Sequence, residues 1–263
     1  MSENKKTWSV AAEIKAEQKA ALKYMSRKEK SKYIWEYYKI QIITAIVSVI
    51  LLISIIYNAA TNRDYSYYAV IFNAVILDGE EIAEDFNTFA GIDGSRYHTF
   101  IDTSNVLDKD NVTPFEMAII QRIMATIVAG HLDSIIADGY TFTYFADGEF
   151  FVDLRKVISA EELKRYENNL FYIDQAVIDR RNANVNMDSV LDIIVLDEEQ
   201  RVAEVTLRRQ PENMGNPVPV GIILTGSPLI NDAYLTHEIP VLGIIGTSDR
   251  HELTMMFVEF LLR

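Results

Sequence analysis

The chain has 263 residues, 49% apolar and 24% charged, with six prolines and eleven glycines. That composition supports one or two packed domains and excludes wholesale disorder or a collagen-like repeat. A net charge of −13 and the absence of cysteine argue against a basic nucleic-acid surface and exclude disulfides, Cys-ligated zinc, thiolate catalysis and a lipidated N-terminal cysteine.

Residues 1–39 carry ten Lys or Arg against five Asp or Glu. Residues 8–25 are rich in Ala, Lys and Glu, all good helix formers. Ser26-Arg27-Lys28-Glu29 has the form of a capping box, so a helix is expected to start there and run into the apolar segment. The arm reads either as a positive topology signal, with anionic lipid beneath it, or as a docking element for a membrane-protein partner.

From Ile40 to Tyr57 only Gln41, Thr44, Ser48 and Ser54 are polar, and none is charged. Eighteen helical residues rise about 27 Å, enough for a bilayer core of about 30 Å once Lys39 snorkels. Tyr33, Trp35, Tyr37 and Tyr38 on one side and Tyr65, Tyr67 and Tyr68 on the other form aromatic belts. Arg27, Lys28, Lys30, Lys32 and Lys39 precede the span, and Arg63 alone follows it closely. By the positive-inside rule the N-terminus is cytoplasmic and the rest extracellular, in the cell membrane. Thirty-nine preceding residues are too many for an ordinary signal peptide, so an uncleaved signal anchor is expected.

Residues 58–66 read as a tether and 67–263 as one α/β domain. The run Tyr68–Val75 has the continuous apolarity of a buried strand. Helix 80–90 and strand Tyr97–Ile101 follow. Thr113, Pro114 and Glu116 open a helix that Gly130 ends; Asn111-Val112-Thr113 also fits a glycosylation sequon but reads better as this cap. Asp133–Ala137 is a strand, Tyr140–Ala146 an aromatic segment, and Ser159 with Glu162 boxes another helix. Phe171–Ile178 reads as a strand. Leu191–Leu196 and Val202–Leu207 suggest a hairpin about Asp197–Arg201, in the least defined region, 180–219. Val220–Leu224 is a strand, Ser227-Pro228 opens a short helix to Tyr234, Val241–Ile245 is the last strand and 249–262 the last helix. The alternation predicts a largely parallel sheet.

Two stretches carry a resemblance. One is Ala129-Gly130-His131-Leu132-Asp133-Ser134-Ile135-Ile136-Ala137-Asp138, followed by Phe142–Ala146 and Gly148–Leu154. The other runs from Ile239-Pro240-Val241-Leu242-Gly243-Ile244-Ile245 to Phe257-Val258-Glu259-Phe260-Leu261-Leu262. Both resemble type II extracellular solute-binding proteins, the bilobed receptors of ABC importers. The whole plan is similar to membrane-anchored proteins of Gram-positive, clostridia-like bacteria. The resemblance implies an N-terminal transmembrane helix followed by a reduced periplasmic-binding-protein-like (type II) domain. It also implies a small-molecule ligand and an ABC transporter as possible partners.

A ligand in such a sheet sits beyond the strand C-termini. The expected contacts are Asn73, Asp138, Thr247 and Ser248 at strand ends, with Tyr140 and Tyr144 to stack on it. No HExxH, GxSxG, GxGxxG or Walker pattern occurs. His131-Leu132-Asp133 and the acidic group Asp102, Asp108 and Asp110 lack the spacing of a metal site. The expected role is a non-enzymatic accessory or scaffold domain of a membrane complex, with no cofactor, metal or nucleic acid. Solute binding or sensing is the alternative.

Overall fold

The computed structural model describes residues 12–13, 25–61, 65–74, 76–108, 113–183, 197–230, 233–234 and 239–263. The chain divides into two compact units, Met1–Asn62 and Arg63–Arg263. In the first, helix α1 (Arg27–Thr61) begins at the expected box. The Ser26 N–H donates to Glu29 Oε2 at 2.8 Å and the Glu29 N–H to Ser26 Oγ at 3.4 Å. Its stretch Tyr38–Tyr57 is long and apolar enough to cross a membrane, and none of it is buried. An apolar helix with no protein around it needs another apolar surrounding, which a bilayer supplies.

The second unit is a layered α/β fold. Its strands are β1 (Tyr65–Phe72), β2 (His98–Asn105), β3 (Ser134–Asp138), β4 (Leu170–Asp174), β5 (Pro217–Ile223) and β6 (Pro240–Ile244). They form one sheet in the order β2-β1-β3-β6-β5-β4. β1 pairs in parallel with β2 and β3, whereas β3–β6, β6–β5 and β5–β4 are antiparallel. The sheet is therefore mixed, not largely parallel. Hydrophobic periodicity reports burial but not strand direction, so the reversed β6 is invisible to it. The described residues of this unit build one sheet.

The helices are α2 (Gly79–Ala90), α3 (Pro114–Val128), α4 (Gly139–Asp147), α5 (Ala160–Arg165), α6 (Gln175–Ala183), α7 (Glu198–Leu207) and α8 (His251–Leu261). β1 shows how the layers form. Tyr67, Ala69 and Ile71 enter one core cluster with Phe86 of α2 and Phe257 of α8. Tyr68, Val70 and Phe72 enter the other, with Ile123 of α3 and Phe145 of α4. Successive strand residues face opposite ways, so two covered faces demand an unbroken apolar strand.

Three other expectations change. Phe171–Ile178 is not one strand: β4 stops at Asp174, whose carboxylate accepts the N–H groups of Ala176, Gly215 and Asn216 and turns the chain into α6. Those donors hold the Asp174 carboxyl below its usual range. Val202–Leu207 is helical, because Asp197 and Gln200 form a reciprocal capping box at the start of α7; its proposed hairpin partner, Leu191–Leu196, lies outside the described residues. Of the helix expected from Ser227-Pro228 to Tyr234, residues 228–230 are turns and Ala233 has 3-10 geometry, while 231–232 lie outside the described residues. The sequon's Asn111 and Val112 also lie outside the described residues.

Two close approaches set the packing of α4. A Cβ on Gly221 or Gly243 would lie 2.8 Å from the Phe142 ring, so bare strand backbone admits the Phe142–Phe151 stack, centroids 4.4 Å apart. A Cβ on Gly139 would lie 2.8 Å from Val205 Cγ1 of α7. Gly139→Ala is therefore expected to destabilise the unit by about 1–3 kcal/mol through overpacking. That exceeds the roughly 0.5–1 kcal/mol alanine gains in a helix. Adding Val205→Ala should restore part of the loss. Thermal unfolding of the four chains, as a double-mutant cycle, checks the coupling.

Candidate functional site

The parallel strands β1, β2 and β3 end together, where the sequence places a ligand. Asn73 follows β1 with φ 57°, a left-handed conformation that asparagine tolerates better than most residues. Its Nδ2 donates to Leu107 O at 3.1 Å, Asp138 Oδ2 at 2.9 Å and Thr141 Oγ1 at 3.0 Å, while its Oδ1 accepts the Leu107 N–H at 2.8 Å. Asp138 is buried and caps α4, its Oδ1 accepting the Thr141 N–H at 2.8 Å. Asn73 and Asp138 thus meet, as expected of one site. Their polar atoms are spent on each other and on the loops after β2 and β3.

Above this end the crevice is covered. Val205 of α7 is buried and lies against Gly139. The Arg201 guanidinium stands over the Tyr140 ring, 4.9 Å from its centroid, a cation–π contact. Tyr144 lies one turn further on, half-exposed and edge-on to Phe145. Burial raises its phenol pKa.

Thr247 and Ser248 sit elsewhere. Because β6 runs antiparallel, its C-terminal end lies beside the start of β3, with Ile244 opposite Ser134 and Pro240 opposite Asp138. The two residues therefore occupy the far end of the sheet from Asn73 and Asp138. Thr247 Oγ1 donates to Ile127 O at 2.8 Å. Ser248 Oγ donates to Asp133 Oδ1 at 2.6 Å.

Asp133 is fully buried. Its carboxylate also accepts the Tyr68 N–H at 2.8 Å and Arg250 Nε at 2.9 and 3.0 Å. Arg250 Nη2 reaches His131 O at 3.3 Å. The His131–Asp133 triplet is thus part of a structural tie, with its carboxylate already engaged by three residues. Next to it burial holds the Tyr67 phenol well above its usual pKa, despite a 2.7 Å bond with Ser134 Oγ.

Asp102 lies inside β2, not in an acidic loop. Burial pushes its pKa up, but bonds from Ser104, Asn105 and Arg122 outweigh that and hold it below the usual range. Arg122 Nη1 meets Asp102 Oδ2 at 3.0 Å, and Nη2 meets Asn105 Oδ1. Asp110 lies outside the described residues. No group of three or more His, Cys, Asp or Glu among the described residues could hold a metal ion.

The structure offers two hollows that the sequence does not announce. An open groove of about 670 Å³ runs beside β2, between Phe100–Ser104 and Ile76–Glu80. A narrower cavity of about 380 Å³ opens on the β4–β5 side, lined by the apolar Phe151, Ile173, Val218 and Val220 and by the polar Glu149, Asp153, Lys156 and Gln175. Glu149 holds φ 58°, a strained value for a non-glycine residue. Its carboxylate accepts amide N–H bonds from Gln175 at 2.9 Å and Asn182 at 3.2 Å. Asp147-Gly148-Glu149 reads in sequence only as a turn, and Lys156 arrives from a separate segment, so no spacing rule joins them.

No family model matches the chain, and no curated protein matches it. Among solved structures, a cysteine-to-serine mutant of Corynebacterium glutamicum OxyR with hydrogen peroxide bound covers 89% of this chain and 77% of its own, at 10% identity and a TM-score of 0.26. Similarity that low assigns neither fold nor function.

Replacing Asp133 by alanine leaves the partly buried Arg250 without its carboxylate and the Tyr68 N–H without an acceptor. The expected loss is about 3–5 kcal/mol, the range for breaking a buried ion pair. Thr247→Ala, which removes one neutral bond, should cost about 1 kcal/mol. Comparing the two thermal unfolding curves checks the ranking.

Proposed function

We propose that this chain is a single-pass membrane protein whose α/β unit is a non-catalytic sensing domain for a small solute. The observation that carries the reading is the cavity of about 380 Å³. It combines an apolar floor with a few polar groups, the usual make-up of a small-ligand site. Glu149 is bonded by the neutral amides of Gln175 and Asn182, Asp153 is paired with Arg155, and Lys156, near Asp153, forms no salt bridge among the described residues. Glu149 and Lys156 thus bring opposite charges to one cavity, which suits a small zwitterion. The backbone strain at Glu149 points the same way, since such strain collects at binding sites.

The membrane reading is supported by the unburied apolar stretch Tyr38–Tyr57. The lysine and arginine excess before it supports a cytoplasmic N-terminus and an extracellular α/β unit. The same excess suits anionic lipid at the arm. The solute-binding relationship belongs to this proposal too. Its support is the way the last strand enters the sheet beside β3 and the last helix joins the β1 core cluster, in keeping with the return elements of that family. An ABC transporter would be the partner that reads the domain out.

A second reading has its own observation. α7 packs beside the strand ends, with Val205 against Gly139, and Asn73 and Asp138 are bonded to each other and to neighbouring protein groups. That favours an accessory domain whose partners are proteins.

A thermal-shift screen of the detergent-solubilised full chain against amino acids, betaines, polyamines and sugars separates the two. Sensing predicts a saturable rise with zwitterions, about 2.7 kcal/mol of linkage at a hundredfold excess over Kd. Lys156→Ala or Glu149→Gln should abolish it. No rise with any class leaves the accessory reading.

A further inference from the structure

Tyr65, Tyr67 and Tyr68 follow the apolar span in sequence, but only one of them is left to meet a membrane. Tyr67 and Tyr68 are buried in the two core clusters, whereas Tyr65 is 38% exposed. The fold gathers other rings around it. The β1–β2 register sets Tyr65 opposite His98. The Tyr65 ring centroid lies 5.5 Å from that of His98, 6.4 Å from Phe100 and 6.3 Å from His131, which precedes β3. His98 stacks on Phe100 at 5.8 Å. Tyr97, also partly exposed, carries the Arg96 guanidinium over its ring. His98 and His131 are both exposed. All of these residues belong to the end of the sheet at which β1, β2 and β3 begin.

We infer that this end of the sheet is a bilayer-contact surface, with Tyr65, Tyr97, His98 and His131 seated in the lipid headgroup layer. Two observations select lipid as the occupant. The first is chain length. α1 ends at Thr61 and β1 begins at Tyr65. Four Cα steps extend at most about 14 Å. Thr61 itself lies four residues past Tyr57, the last residue of the apolar stretch. That is a helical rise of about 6 Å, close to the depth of a headgroup layer. Tyr65 therefore cannot leave the neighbourhood of the bilayer surface, whichever way the α/β unit is turned.

The second observation is ring chemistry. Tyrosine and histidine join an apolar body to a polar tip, and membrane interfaces collect amphipathic rings of this kind. A belt read from consecutive residues is thus replaced by one assembled from the starts of β1 and β2 and the loop before β3. The inference rests on the membrane-crossing part of the proposed function and not on a solute.

The chain has no cysteine, so a single fluorophore can be placed without background. Full-length Tyr97→Cys and His98→Cys, each labelled with an environment-sensitive dye, are reconstituted in phosphatidylcholine vesicles that carry a spin label in the headgroup. Glu161→Cys, exposed on α5, is the control. Ile50→Cys, inside the apolar stretch, reports the span itself through an acyl-chain spin label. Contact predicts blue-shifted emission at 97 and 98 and quenching at least about threefold stronger than at 161. Adding Tyr65→Asp to the His98→Cys chain should lower the quenching at 98 by about half or more. Quenching at 97 and 98 no stronger than at 161, with Ile50→Cys quenched, overturns the inference and leaves the span standing. An unquenched Ile50→Cys overturns the membrane reading and this inference with it. Blue-shifted emission at 98 without lipid quenching also overturns it, because protein then covers the rings.

Discussion

The buried carboxylate of Asp133 is the constraint from which the arrangement of the α/β unit follows. A fully buried charge survives only when donors surround it. Here they come from two separate parts of the chain: the Tyr68 N–H of β1, and the Ser248 hydroxyl and Arg250 guanidinium of the loop between β6 and α8. Meeting all three at once requires the end of β6 to lie beside the starts of β1 and β3. β6 must therefore run against them. That reversal places β5 and β4 beyond it and leaves Thr247 and Ser248 at the opposite end of the sheet from Asn73 and Asp138. The second end has its own tie, in which Asn73 joins the loop after β2 to the cap of α4. One polar knot holds each end of an otherwise apolar sheet.

Much of this was legible because the controlling physics is local. Thr113 with Glu116 and Ser159 with Glu162 form the boxes their spacing implies. The uncharged stretch from Ile40 to Tyr57 is a helix outside any protein core. Asp197 and Gln200 carried the same box signature, yet β-branched Val202, Val205 and Thr206 drew the reading toward a strand. The limits appear where distant segments meet. Asp102 looks like an acidic loop residue until Arg122 and β1 are placed beside it. Asp138 reads in sequence as a turn or strand-end residue, and only the fold shows it bonded to Asn73 and capping α4 at Thr141. Glu149, Lys156 and Gln175 share a rim only because β4 and β5 pair, which no periodicity records.

The functional picture follows from what each surface can do once its internal bonds are satisfied. The strand ends are closed by protein groups and by α7. The β4–β5 side retains a cavity with charges of both signs. The outer face of α3 retains apolar side chains that no described part of the chain covers. Under the proposed membrane role, an anchor would give such a domain a fixed side of the bilayer on which to act, and its acidity would keep it solvated there.

The proposed function requires that α1 crosses the membrane and sets the α/β unit on the far side from the N-terminal arm. The direct measurement is labelling of single cysteines with a membrane-impermeant maleimide in intact cells. The account predicts that Glu161→Cys is labelled at once and that Ser2→Cys is labelled only after permeabilisation. Labelling of both in intact cells, of Ser2→Cys alone, or of neither before permeabilisation would contradict it.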